Sequence, residues 1–141
     1  GYKNFTKKQI GSLINLIKIL SKKYKINKRN ILGHSDIAPN RKKDPGEKFP
    51  WQSLARENLS IWHGLSKQRL KKFRKKKCYE KYQKKFLYNL SKIGYSKKGQ
   101  KIILKSKYLR LWVMAFQRRF RPELIDGKID QECLLISQKL I

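Results

Sequence analysis

Apolar residues near the start of the chain recur every three or four places. Ile10, Leu13, Ile14, Ile17 and Leu20 line one side of a helix, and Lys7, Lys8, Lys18 and Lys22 fall mostly on the other. Thr6 followed three residues later by Gln9 is a capping-box pattern, and Phe5 and Ile10 occupy the two positions of a hydrophobic staple, so the helix starts here. A helix with one such stripe needs a partner, and a sheet is expected to supply it. Asn30-Ile31-Leu32-Gly33-His34 reads as a short buried strand, although so brief an apolar run does not separate strand from helix by periodicity alone. Between Ser35 and Pro50, the residues Pro39, Pro45, Gly46 and Pro50 impose an irregular loop. Pro50 then opens a short helix over Trp51 to Leu59.

From Ser66 to Lys85 the pattern gives way to Lys and Arg with scattered aromatics, and residues 66–80 read as a basic linker. Three helical patterns follow: Tyr82 to Ile93, about Ile102 to Phe120, and Asp130 to Leu140. In the middle one Tyr108, Leu111, Trp112, Ala115, Phe116 and Phe120 share a face; in the last Ile129, Cys133, Ile136 and Leu140 do, with Asp130 as N-cap. No repeat of solenoid length is present.

Charge changes this picture. The 141 residues hold 37 Lys and Arg against 9 Asp and Glu, a formal charge of +28, which calls for an anionic partner or surface and says little about fold. Nucleic acid, acidic lipid and cell-wall polymer all qualify. Lys far outnumbers Arg, whereas planar bidentate reading of guanine or phosphate favours Arg, so no specific nucleic acid is expected. Cys78 and Cys133 lie far apart in no CxxC arrangement, and signal neither a disulfide framework nor a thiolate metal site. No apolar run approaches the ~20 residues that span a bilayer. Gly1-Tyr2-Lys3-Asn4-Phe5 leads almost directly into the first helix, which suits a chain whose upstream portion lies elsewhere.

The segment richest in chemistry is Gly33-His34-Ser35-Asp36-Ile37-Ala38-Pro39-Asn40-Arg41-Lys42-Lys43-Asp44-Pro45-Gly46, with Phe49-Pro50-Trp51 behind it. It sets an imidazole at the end of the expected strand and returns a carboxylate ten residues later on a proline-stiffened loop. Imidazole nitrogen and carboxylate oxygen are ordinary zinc ligands, and an open catalytic site needs three protein ligands with water at the fourth position. By spacing alone, a structural histidine at 34 and a solvated lysine at 42 are the better account of these residues.

This run resembles the signature of the type 2 N-acetylmuramoyl-L-alanine amidases, whose fold is shared with peptidoglycan-recognition proteins. With the preceding FTKKQIGSLINLIKILSKKYKI, the resemblance covers about residues 1 to 65. It implies that His34 and Asp44 are two of three zinc ligands, the cofactor being Zn2+, and that Lys42 is the cation assisting catalysis. Arg41 is a candidate for substrate binding. The tail resembles a three-helix peptidoglycan-binding module, carried by FLYNLSKIGY from Phe86 to Tyr95, AFQRRFRP from Ala115 to Pro122, and Asp126-Gly127-Lys128-Ile129-Asp130. There Gln117, Arg118, Arg119 and Arg121 are candidates for contacts to muropeptide carboxylates.

The resemblance implies an α+β fold: a truncated helix-flanked mixed-sheet amidase domain over 1–65, the linker over 66–80 and a small three-helix bundle over 81–141. It implies peptidoglycan or muropeptide as partner and the periplasm of a bacterial envelope as location. The family's first zinc histidine and its general-base glutamate have no counterpart here, because before Glu47 the acidic residues are Asp36 and Asp44, and the other histidine, His63, lies downstream. The chain alone is therefore expected to be inactive, to expose part of its first helix, and to pair with an upstream segment. Two alternatives stand beside this reading: a peptidoglycan-binding protein without activity, and a basic nucleic-acid binder using Phe73, Tyr79 and Tyr82 as stacking groups.

Overall fold

A computed structural model of the chain describes residues 3–95, 104 and 106–141. The described residues form α1 (Lys7–Tyr24), α2 (His34–Ile37), α3 (Trp51–Arg56), α4 (Lys67–Lys71), α5 (Glu80–Ile93), α6 (Leu109–Phe120) and α7 (Gln131–Gln138). The expected start of the middle tail helix at Ile102 lies outside the described residues.

The capping box is formed as the sequence predicts. The Thr6 hydroxyl accepts from the Gln9 N–H at 3.2 Å, and Gln9 Oε1 accepts from the Thr6 N–H at 2.8 Å. Phe5 meets Phe49 edge-on, with ring centroids 5.7 Å apart. Ile14 and Ile17 of α1 lie against a small core of Trp51, Leu54 and Leu59, and Lys18 reaches Glu57 at 2.6 Å. Yet α1 buries no residue fully, and Leu16 and Ile19 are 53% and 63% exposed.

The expected α+β class is overturned. No strand forms among the described residues, which are helical apart from turns, loops and one isolated antiparallel bridge between Lys77 and Asp130. The segment expected as a strand divides instead. Lys28–Asn30 is a 3-10 turn capped by the Asn27 side chain, Ile31 is extended, and His34 begins α2. A strand is held by a neighbour's ladder, and none is present here among the described residues. The Ile31 carbonyl takes its hydrogen bond from a side chain, Arg119 Nη2 at 3.1 Å.

The larger core is built by the tail. Phe86, Leu87 and Leu90 of α5, Val113, Ala115, Phe116 and Phe120 of α6, and Cys133 and Ile136 of α7 are buried together. Gly94 ends α5 at φ 115°, a left-handed value that favours glycine, and the chain turns back so that Tyr95 enters this core. Asp130 caps α7, accepting from Cys133 N–H at 2.9 Å. The basic run 66–80 is tied to α7: Leu70 is buried in the core, and Arg74 grips Glu132 with two bonds of 2.7 and 2.8 Å. Trp62 packs against both cores.

Candidate functional site

The loop from Gly33 to Phe49 is fixed from both ends. The Ser35 N–H donates to the Asp44 carbonyl at 3.0 Å, and the Lys42 N–H to the Ala38 carbonyl at 2.9 Å. Gly33 is required by a close approach, since a Cβ there would stand 2.5 Å from Pro45 Cδ. The loop thereby folds back on α2, and residues ten apart in sequence meet.

His34 Nδ1 and Asp44 Oδ2 are 2.5 Å apart, and both side chains are largely exposed. The hydrogen bond from His34 is the main cause holding the Asp44 carboxyl below its ordinary value of 3.8, and the charge of Lys42 adds in the same direction. His34 and Asp44 thus meet, and Lys42 lies two residues before Asp44 on the same loop. Arg41 is an exposed residue of the same loop.

The donor chemistry of this pair fits a zinc ion in part. Two ligands on a tetrahedral zinc at ~2.0–2.1 Å each stand roughly 3.3 Å from one another, so imidazole and carboxylate would part by under about 1 Å to admit it. Exposure leaves both free to do so. Among the described residues no group of three His, Cys, Asp or Glu side chains is arranged to hold a metal. His63 does not join them: its Nδ1 accepts the Leu65 N–H at 3.0 Å and its ring stacks on Trp62. Burial is the main cause that lowers its pKa below 6.5.

Beneath the exposed pair lies a buried anchor whose partners are remote in sequence. Asp36, 5% exposed, accepts from the Gly33 N–H at 2.9 Å, from the Tyr95 hydroxyl at 2.7 Å and from Arg119 Nη1 at 2.6 Å. Arg119 also donates to Ser60 Oγ at 3.2 Å, and its guanidinium lies 4.1 Å from the Trp51 ring centroid. Burial first, and the neighbouring Asp36 carboxylate next, push the Tyr95 phenol well above 10. The short turn bearing His34 is therefore bolted to α6. Asp36 fixes its own loop through the bond from Gly33 N–H, and nothing local in the sequence pointed to a partner 83 positions away.

Three of the four tail residues considered for substrate contact are committed internally. Gln117 clamps the Asp126-Gly127 turn, donating to Asp126 Oδ1 at 3.0 Å and accepting from Gly127 N–H at 2.8 Å. Arg119 holds Asp36, and Arg121 is surrounded by Asp126, Asp130 and Glu132. Arg118 alone of the four makes no side-chain hydrogen bond or ion pair with a described residue.

The class of protein this chain resembles is now clear: a family model described as N-acetylmuramoyl-L-alanine amidase matches residues 1–47, which include His34, Lys42 and Asp44. The resemblance extends further along the chain in particular relatives. N-acetylmuramoyl-L-alanine amidase AmiD of Escherichia coli is 34% identical over 137 residues, 97% of this chain and 49% of AmiD. The 1,6-anhydro-N-acetylmuramyl-L-alanine amidase AmpD of Haemophilus influenzae is 49% identical over 49 residues, 34% of this chain and 27% of AmpD. Among solved structures, E. coli AmiD in complex with anhydro-N-acetylmuramic acid-L-Ala-D-gamma-Glu-L-Lys superposes with a TM-score of 0.78, covering 99% of this chain and 53% of AmiD. AmpDh3 from Pseudomonas aeruginosa follows at 0.77 and 28% identity, covering 99% of this chain and 54% of AmpDh3. The chain thus spans about half the length of the full relatives it matches along its whole extent.

Proposed function

We propose that this chain is part of a zinc-dependent N-acetylmuramoyl-L-alanine amidase, which hydrolyses the amide between the lactyl group of N-acetylmuramic acid and L-alanine. The observation that carries the reading is the meeting of His34 and Asp44, 2.5 Å apart, in a loop inside the family match. In this proposal His34 and Asp44 hold the zinc, and Lys42 directs its ammonium at the oxyanion that develops on the scissile carbonyl. Zinc, when bound, supplies Lewis-acid activation of water and of that carbonyl. The substrate has the chemistry of the muropeptide in the AmiD complex. Arg41 is a peripheral contact to it.

In the same reading residues 1–65 are the C-terminal part of the catalytic unit, 66–80 connect it, and 81–141 are a peptidoglycan-binding module. The enzyme works in the bacterial envelope, in the periplasm, where its substrate lies. No helix of the described residues is long and apolar enough to cross a membrane.

Two ligands bind zinc weakly. Titration of the 141-residue chain with zinc is expected to give a dissociation constant in the high micromolar range or above, abolished by His34→Ala or Asp44→Ala. Binding that survives both substitutions would remove the metal reading. A peptidoglycan-binding role without turnover is the second reading, favoured because the described residues supply no third ligand. Muropeptide binding, with no hydrolysis under any zinc load by a chain extended to the relatives' full length, would establish it.

A further inference from the structure

We infer that Arg118 is a carboxylate-binding residue, through which the last turn of α6 takes part in the site beside Asp44. Two independent observations carry this. The first is electrostatic. Of the three arginines in the run from Gln117 to Pro122, Arg119 and Arg121 are buried against carboxylates, Asp36 for one and Asp126, Asp130 and Glu132 for the other. Arg118, 8% exposed, has no such partner among the described residues, and none of its nitrogens is sealed from the surface without one. A guanidinium carries five N–H donors in a planar fork, and those of Arg118 have no acceptor among the described side chains. Its position in the last turn of α6 favours positive charge through the carbonyl dipoles, but supplies no hydrogen bond from the guanidinium.

The second observation is where Arg118 stands. It forms one wall of an open depression of roughly 510 Å3, whose other walls include Lys43, Asp44, Pro45, Glu47 and Ile125. Asp44 belongs to the proposed zinc pair, so the depression begins where the reaction centre ends. Glu47 lines the same space without reaching Arg118 in a hydrogen bond or ion pair. Two cations, Lys43 and Arg118, face a volume that admits an anionic group of a ligand held at Asp44.

The inference rests on the amidase reading, and it names the group recognised. In a stem peptide whose glutamate is linked through its γ-carboxyl, the α-carboxylate of that glutamate is free and lies one residue beyond the L-alanine of the scissile amide. A planar carboxylate suits the fork of a guanidinium. The unused donors of Arg118 grip this carboxylate, and specificity for the acid over the amidated stem peptide follows.

The experiment is a pair of NMR titrations of the 141-residue chain, with L-Ala-D-γ-Glu-L-Lys and with its α-carboxamide analogue. The acid is expected to bind roughly tenfold more tightly, as one charge-assisted bond pair implies. Arg118→Gln abolishes the preference, Arg118→Lys retains part of it, and Arg118→Met abolishes it while the melting temperature stays level or rises, because no carboxylate is left unpaired in the protein. Equal affinity for acid and amide, absence of binding by both, or a preference that survives Arg118→Gln would each overturn the inference. The amidase reading falls separately, through the zinc titration of the His34 and Asp44 variants, which Arg118 does not touch.

Discussion

Two apolar stripes in this chain meet different fates. α1 carries Ile10, Leu13, Ile14, Ile17 and Leu20 along one side and buries none of its residues fully, while α6 buries Val113, Ala115, Phe116 and Phe120 in one core with residues of α5 and α7. The patterns are alike. An apolar stripe states that a helix needs a covering surface, and says nothing of how much of that surface the chain supplies. In the tail, three helices and the tethered basic run bury the C-terminal part of the stripe, while Tyr108 at its start is 45% exposed. At α1 the small core around Trp51 and Leu54 meets Ile14 and Ile17, and Leu20 at the end of the stripe stays 37% exposed.

Four measurements test that contrast, and the largest effect is expected at the bolt between the two regions. Arg119→Met leaves Asp36 buried without its counter-ion, and should lower unfolding free energy by about 3–5 kcal/mol in a urea titration. A loss below about 1 kcal/mol would mean that the His34 turn and α6 are held together by apolar contact instead. Phe116→Ala removes a ring with no exposed surface, and is expected to cost about 3–5 kcal/mol, whereas Leu20→Ala on the α1 stripe, where the side chain is 37% exposed, should cost under about 1 kcal/mol. Equal costs at these two positions would erase the distinction drawn between the stripes.

Smaller effects follow at the helix start and at His63. Thr6→Ala removes the cap of α1 and should cost about 1 kcal/mol, read as faster amide exchange over residues 7–10. The pKa of His63 is depressed by burial, so the unfolded chain takes up a proton first as pH falls below 6.5. Its contribution to stability is complete above pH 6.5 and is lost progressively as pH falls from there through the folded-state pKa. Urea midpoints at pH 7.5 and 5.5 should differ in that direction, and His63→Gln should narrow the gap. A His63 NMR titration midpoint at or above 6.5 would reverse the sign.

Much of the local structure was legible in advance. The Thr6–Gln9 capping box, the Asp130 cap and the stripes of the tail helices were readable because each depends on residues a few positions apart. The apolar run at 30–34 misled. Ile31 and Leu32 have strand-like composition, but a strand is defined by its neighbour, and in the described residues the bonding partner of Ile31 is an arginine side chain. The meeting of His34 and Asp44 was implied by the resemblance of the loop to a known signature; the spacing alone left it open.

The run Gln117-Arg118-Arg119-Phe120-Arg121 marks the boundary between what sequence and fold decide. By itself the sequence determined that these residues end an amphipathic helix, because backbone hydrogen bonds and side-chain periodicity act over three or four positions. It also determined a large positive charge to be neutralised or solvated. Only the tertiary structure decided which guanidinium would be spent on Asp36, which on the acidic turn around Asp126 and Asp130, and which would be left facing Asp44. The reason is physical: the energy of a buried charge depends on the distance to its counter-ion, and that distance is set by how remote segments pack.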